Sequence, residues 1–218
     1  MFSFFRCREC LLREKLLVKL FATLTNLPRL QRLDLSYNKI TGESAMACCQ
    51  FLLNSHGSLI ELSLRDCELA RDVFARHSDL FERGLARQTG LQSLSLACNQ
   101  LDGEAVNVIR NSIALSKVSG IVAGAPSGTT TSEAWCLDSL DLSYNLISGA
   151  QLRPLIDDLR VIAEERGRPA LSLLDFSGNY VMVRERDELK DSIKGVVKKL
   201  NMMVLNYTNV LAEHVAQM

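Results

Sequence analysis

The 218-residue chain has only four prolines, one tryptophan and three histidines, and its 25 Lys+Arg cancel its 25 Asp+Glu. Zero net charge removes the electrostatic footprint of a dedicated nucleic-acid binder, which needs a basic surplus to meet phosphates. No apolar run approaches the ~18 residues a membrane-spanning helix requires, so no such helix is expected. At 47% apolar residues the chain is too hydrophobic for a disordered one. What remains is a globular protein, long enough for one ample core.

The same scarcity argues against metal and redox chemistry. His56, His77 and His214 are scattered with no ligand-like spacing, and Cys7 and Cys10 form a lone CxxC without the second ligand pair of a structural zinc site. A redox CxxC wants a strand before it and a helix after it, and only the helix is expected here. The seven cysteines make no even framework, so they read as free thiols of a reducing compartment, with Cys7 and Cys10 as two small apolar residues near a helix start. Arg6, Arg8, Arg13, Lys15 and Lys19 among Phe and Leu suggest a mitochondrial presequence, but Glu9 and Glu14 count against it. Residues 1–29 are therefore expected to form an N-terminal capping helix, with Leu12, Leu16, Leu20 and Leu24 along one stripe.

What the chain has in abundance is a repeat. LQRLDLSYNKI from Leu30 recurs as LIELSLRDCEL from Leu59, LQSLSLACNQL from Leu91, LDSLDLSYNLI from Leu137 and LSLLDFSGNYV from Leu171. Leu33, Leu62, Leu94, Leu140 and Leu174 share one place in this grid, and Asn38, Cys67, Asn99, Asn145 and Asn179 share another. The pattern resembles the leucine-rich repeat, LxxLxLxx(N/C)xL. The starts lie 29, 32, 46 and 34 residues apart, which resembles the long ribonuclease-inhibitor-like subclass, with a helix after each strand. A second grid agrees: Ala45, Cys48 and Leu52, then Val106, Ile109 and Ile113, then Leu152, Leu155 and Leu159 each make one apolar helical stripe. The second repeat fits it poorly, with Phe74, His77 and Phe81, and the fifth begins it with Arg186 before Leu189 and Ile193.

The expected fold is an α/β leucine-rich-repeat solenoid, a curved parallel β-sheet on the concave face and helices on the convex face. LxL alternation puts one face of each strand in the core, and the Asn satisfies backbone groups where the chain turns away. Five repeats are assigned to residues 30–200. The Gly/Ser/Thr-rich surplus at 116–133 reads as a loop insertion, and residues 201–218 as a degenerate repeat and C-terminal cap.

No residue set stands out as catalytic, and no cofactor is implied. Asp157 and Asp158 are adjacent and point to different sides of a helix, and the charged stretch from Arg184 to Lys190 reads as solvated surface. The candidate site is the concave strip. Asp34, Ser63, Ser95, Asp141 and Asp175 hold its central column, with Arg32, Tyr37, Glu61, Arg65, Asp66 and Tyr144 beside them. This mildly acidic strip either seats a basic or helical segment of another protein, with the two tyrosines as anchors, or is solvated surface with binding at the edges. The resemblance implies protein binding through a scaffold, without nucleic acid or membrane. A structural subunit of a large assembly is expected, in the cytoskeleton and first of all the ciliary axoneme. The alternatives are a subunit of a mitochondrial assembly such as a ribosome, or a regulator resembling the Ran GTPase-activating protein.

Overall fold

The LxL alternation does make strands. The computed structural model describes residues 3–55, 57–119 and 136–202. Strands β1 (Phe4–Arg6), β2 (Arg32–Asp34), β3 (Glu61–Ser63), β4 (Ser93–Ser95), β5 (Ser139–Asp141), β6 (Leu171–Asp175) and β7 (Val197–Asn201) form one sheet in that order. Every neighbouring pair is parallel. A parallel pair needs a long return path, and a helix supplies each one. These helices are α1 (Glu14–Thr25), α2 (Glu43–Asn54), α3 (Ser78–Ala86), α4 (Gly103–Ser119), α5 (Gly149–Arg166) and α6 (Val183–Ile193). This is the α/β solenoid that the repeat grid predicts.

The register stacks Leu33, Leu62, Leu94, Leu140, Leu174 and Leu200 across the sheet, and the first five are buried. The predicted helix stripes meet them: Ala45, Cys48 and Leu52, Val106, Ile109 and Ile113, and Leu152, Leu155 and Leu159 belong to the same continuous core. Each such leucine contributes about 1.5–3 kcal/mol on burial. Gly84 lets α3 lie close on α2, because a Cβ there would stand 2.8 Å from Leu52 Cβ and 3.1 Å from the Leu53 amide nitrogen.

Buried asparagines tie the repeats together on their turns. The Asn99 side-chain amide donates to the carbonyls of Leu64 (2.7 Å), Leu96 (3.1 Å) and Ala97 (3.0 Å), and its oxygen accepts from the amides of Cys67 (2.9 Å) and Leu69 (3.2 Å). Asn145 repeats the pattern one strand on, accepting from Asn99 N (2.9 Å) and Leu101 N (3.0 Å). At Cys67 the step weakens: its thiol only donates, to the carbonyls of Leu35 (3.3 Å) and Arg65 (3.4 Å). The chain enters these turns through left-handed residues, Tyr37, Asp66, Cys98, Tyr144 and Gly178.

Neighbouring repeats also close one another's helices. The first amides of α2 are met by Asp72, which accepts from Gly42 N at 3.1 Å, and by Glu14 of α1, which accepts from Glu43 N. Ser148 and Gln151 form a capping box at the start of α5. The same Gln151 lies over Gly103, the first residue of α4, where a Cβ would stand 2.7 Å from its Nε2.

The structure departs from the sequence expectations at five places. Residues 1–29 are not a helix alone, because β1 precedes α1 and pairs with β2, Phe5 opposite Leu33. Cys7 and Cys10 are joined by a disulfide rather than being free thiols; both follow β1 on its turn, which brings their Cα atoms to 5.7 Å. Cys48, Cys49, Cys67 and Cys98 are free thiols. In the second repeat, where the stripe carries His77, the helix is broken into a π-helical turn (Ala70–Phe74) and α3, with His77 at the junction. At the far end α6 stops at Ile193, Gly195 turns the chain with φ of 82°, and β7 forms earlier than the segment from residue 201 on. The helix α4 runs to Ser119, into the stretch assigned to a loop; residues 120–135 and 203–218, and with them the rest of that loop and the C-terminal cap, lie outside the described residues.

Candidate protein-binding face

The sheet face opposite the helices carries the residues that alternation turns away from the core. Register alone aligns Asp34, Ser63, Ser95, Asp141 and Asp175 in one column, with Arg6 at one end and Asn201 at the other. Arg32 and Glu61 stand side by side in the preceding column and pair at 3.3 Å. Tyr37, Asp66 and Tyr144 occupy the left-handed turn position just beyond the strands, all exposed. The candidate residues thus share one continuous surface.

Their charges are less free than the sequence suggests. Asp34 is buried and receives Arg6, from the strand that sequence reading missed, at 3.2 Å, and Arg8, from the turn after that strand. Burial pushes the Asp34 carboxyl up, but hydrogen bonds from the Ser36 hydroxyl and amide, and the Arg8 guanidinium, hold it below its ordinary value. The first part of the face sets Arg6, Arg8 and Arg32 against Asp34 and Glu61 around a depression of about 190 Å³, which leaves it one positive charge in surplus. Asp141 accepts from Ser95 Oγ (2.8 Å) and Ser143 Oγ (2.7 Å), and Asp175 from Asn201 Nδ2 (3.1 Å). Adjacent in register, these two carboxylates make the later part acidic. The mildly acidic strip is a polarised one.

Arg65 stands at the centre. Its Nε donates to Tyr37 Oη at 3.2 Å, its guanidinium lies 5.9 Å from the Tyr144 ring centroid, and Asp141 is 3.9 Å away. Two exposed tyrosines are thus held on either side of one cation. Beside Tyr144, Leu146 and Tyr180 are exposed as well. Half-buried Cys98 lies next to Arg65, yet burial pushes its thiol up and the guanidinium only partly offsets this. Such a thiol is not an activated nucleophile. Among the described residues no group of three or more His, Cys, Asp or Glu side chains is placed to hold a metal ion, and no helix is long and apolar enough to cross a membrane.

The residues missed were Arg6 and Arg8. Their signal was present in FRCRECLL: Phe5, Cys7, Cys10 and Leu12 fall on the same grid as Leu33, Leu35, Asn38 and Ile40.

No curated protein matches the chain. A family model described as a leucine rich repeat matches residues 27–47, which hold β2 and the start of α2. With the seven-stranded parallel sheet and its alternating helices, that match supports a leucine-rich-repeat protein whose fold is an α/β solenoid.

Proposed function

We propose that the chain is a non-enzymatic protein-interaction scaffold, of the ribonuclease-inhibitor-like subclass, that serves as a structural subunit of a large cytoskeletal assembly, the ciliary axoneme first. Its open face takes an extended or helical segment of a partner protein. The observation that carries this reading is the Tyr37–Arg65–Tyr144 cluster. Tyrosine and arginine dominate binding energy at protein interfaces, and side chains already held in place lose less freedom on binding. The polarity of the face sets the direction: basic residues of the segment lie over Asp141 and Asp175, and acidic ones over Arg6, Arg8 and Arg32. A helix after every interior strand supports the subclass.

The test is in-cell cross-linking of the full chain, with detergent and then high-salt extraction. Wild type is expected to stay with the microtubule pellet and to link from its open face to assembly components. Arg65→Ala and Tyr144→Ala are expected to lose those links while melting as wild type does. Release of wild type into the soluble fraction overturns the cytoskeletal reading, and links unaffected by both substitutions overturn the open-face reading.

A further inference from the structure

The two ends of the solenoid differ. Solenoids need polar outer faces on their terminal repeats, and among the described residues the last helix, α6, supplies one, with Arg184, Asp187, Lys190 and Asp191 exposed along it. The first repeat does not. Leu16 of α1 is 52% exposed and Leu11 85%, while Phe5, Leu12 and Leu20 behind them are only half-covered. β1 is the first strand of the described sheet, and no strand among the described residues pairs with its outer edge. Among the described residues, no further repeat packs on this apolar side.

Its charge says what fits. Residues 1–29 carry six basic side chains against two acidic ones in a chain whose total is zero. Arg13 and Lys19, three residues before and after Leu16, sit on its side of α1. Both are exposed, and neither makes an ion pair among the described residues. We propose that this end docks an acidic amphipathic helix of a partner protein, laid beside α1 with its apolar stripe on Leu16 and Leu20 and its carboxylates on Arg13 and Lys19. A second copy of this chain is disfavoured, because a symmetric pairing would bring these cations onto themselves. The surface is separate from Tyr37, Arg65 and Tyr144, so either reading stands without the other.

The full chain is titrated, by fluorescence anisotropy, into a labelled helical peptide with a leucine stripe flanked by glutamates, and into its twin flanked by lysines. The glutamate peptide is expected to bind and the lysine peptide to bind at least about tenfold more weakly. Leu16→Ser, at an exposed position, is expected to weaken the glutamate peptide about tenfold. Arg13→Glu with Lys19→Glu is expected to invert the preference between the two peptides. Equal binding of both peptides, or affinity indifferent to Leu16→Ser and to the charge reversal, overturns the proposal. A wild-type dimer by light scattering that Leu16→Ser dissolves overturns it too, in favour of self-association. Arg65→Ala is expected to leave this binding unchanged, which separates the outcome from that of the open face.

Discussion

Asn99 offers the sharpest test of what joins one repeat to the next. Its side chain makes five hydrogen bonds, three donated and two accepted, and it is fully buried. Asn99→Ala strands the amides of Cys67 and Leu69, both in buried residues with no other acceptor, along with three carbonyls that lose a donor. Each buried amide left unpaired costs about 1–3 kcal/mol. A water that entered the space would recover part of this, so the expected loss is about 3 kcal/mol. For a chain of this size that is a fall in Tm of about 6–12 °C. Asn99→Asp keeps the acceptor but turns a buried charge onto carbonyls 2.7–3.1 Å away, so it is expected to be worse than alanine. Asn99→Cys is expected to fall between wild type and alanine, because Cys67 already donates to carbonyls from the equivalent place. Urea unfolding gives the order, and hydrogen exchange at Cys67 and Leu69 locates the loss. A cost under about 1 kcal/mol for alanine, or an aspartate variant more stable than the alanine one, refutes the reasoning.

Three further outcomes are expected. Burial pushes the Cys49 and Cys67 thiols up to about 12, from an ordinary value of 9.0. The unfolded chain releases those protons first, so their contribution is fully present below pH 9 and is lost as pH rises towards 12, by about 1.4 kcal/mol per pH unit for each thiol; urea titrations from pH 8 to 11 should show the decline and Cys67→Ser should lessen its slope, whereas a flat profile contradicts it. On native protein, iodoacetamide should reach exposed Cys136 and leave Cys48, Cys49 and Cys67 unmodified until denaturant is added, and early labelling of the buried three would contradict their placement. Gly84→Ala gains helix propensity but forces α3 off α2, and overpacking of this kind costs about 1–3 kcal/mol. A raised Tm for that variant would mean the helices do not approach so closely.

The grid of leucines was legible because burial demands the same residue type at the same place in every layer, and Leu33, Leu62, Leu94, Leu140 and Leu174 duly stack. The asparagine positions were legible for the complementary reason, since few side chains can donate and accept at one buried point. β1 was missed where the grid is written in other letters: Phe5 and Cys7 stand for leucine, and Cys10 for asparagine. That omission then carried over to the site. Asp34 looked like a free acid because its partners Arg6 and Arg8 belong to a strand and its turn 26 or more residues upstream. The broken helix of the second repeat left a trace in its poor stripe, but the position of the break depends on how His77 and Phe81 sit against α2, and spacing does not record that. Arg65 drawn between Tyr37 and Tyr144 is a side-chain event among the turns after β2, β3 and β5, beyond any linear pattern.

The helix caps bear on how such an array could be rearranged. α2 begins on a carboxylate from the repeat before it and another from the repeat after it, and Gln151 serves its own helix while covering Gly103 of the previous one. A unit cut out and moved elsewhere in the array would arrive without the side chains that start its helix and would deprive its former neighbours of theirs. Duplication or deletion of single repeats in this chain is therefore penalised at the junctions even when every leucine is kept, and successful shuffling would have to carry Glu14 with Glu43, or Gln151 with Gly103, as linked pairs.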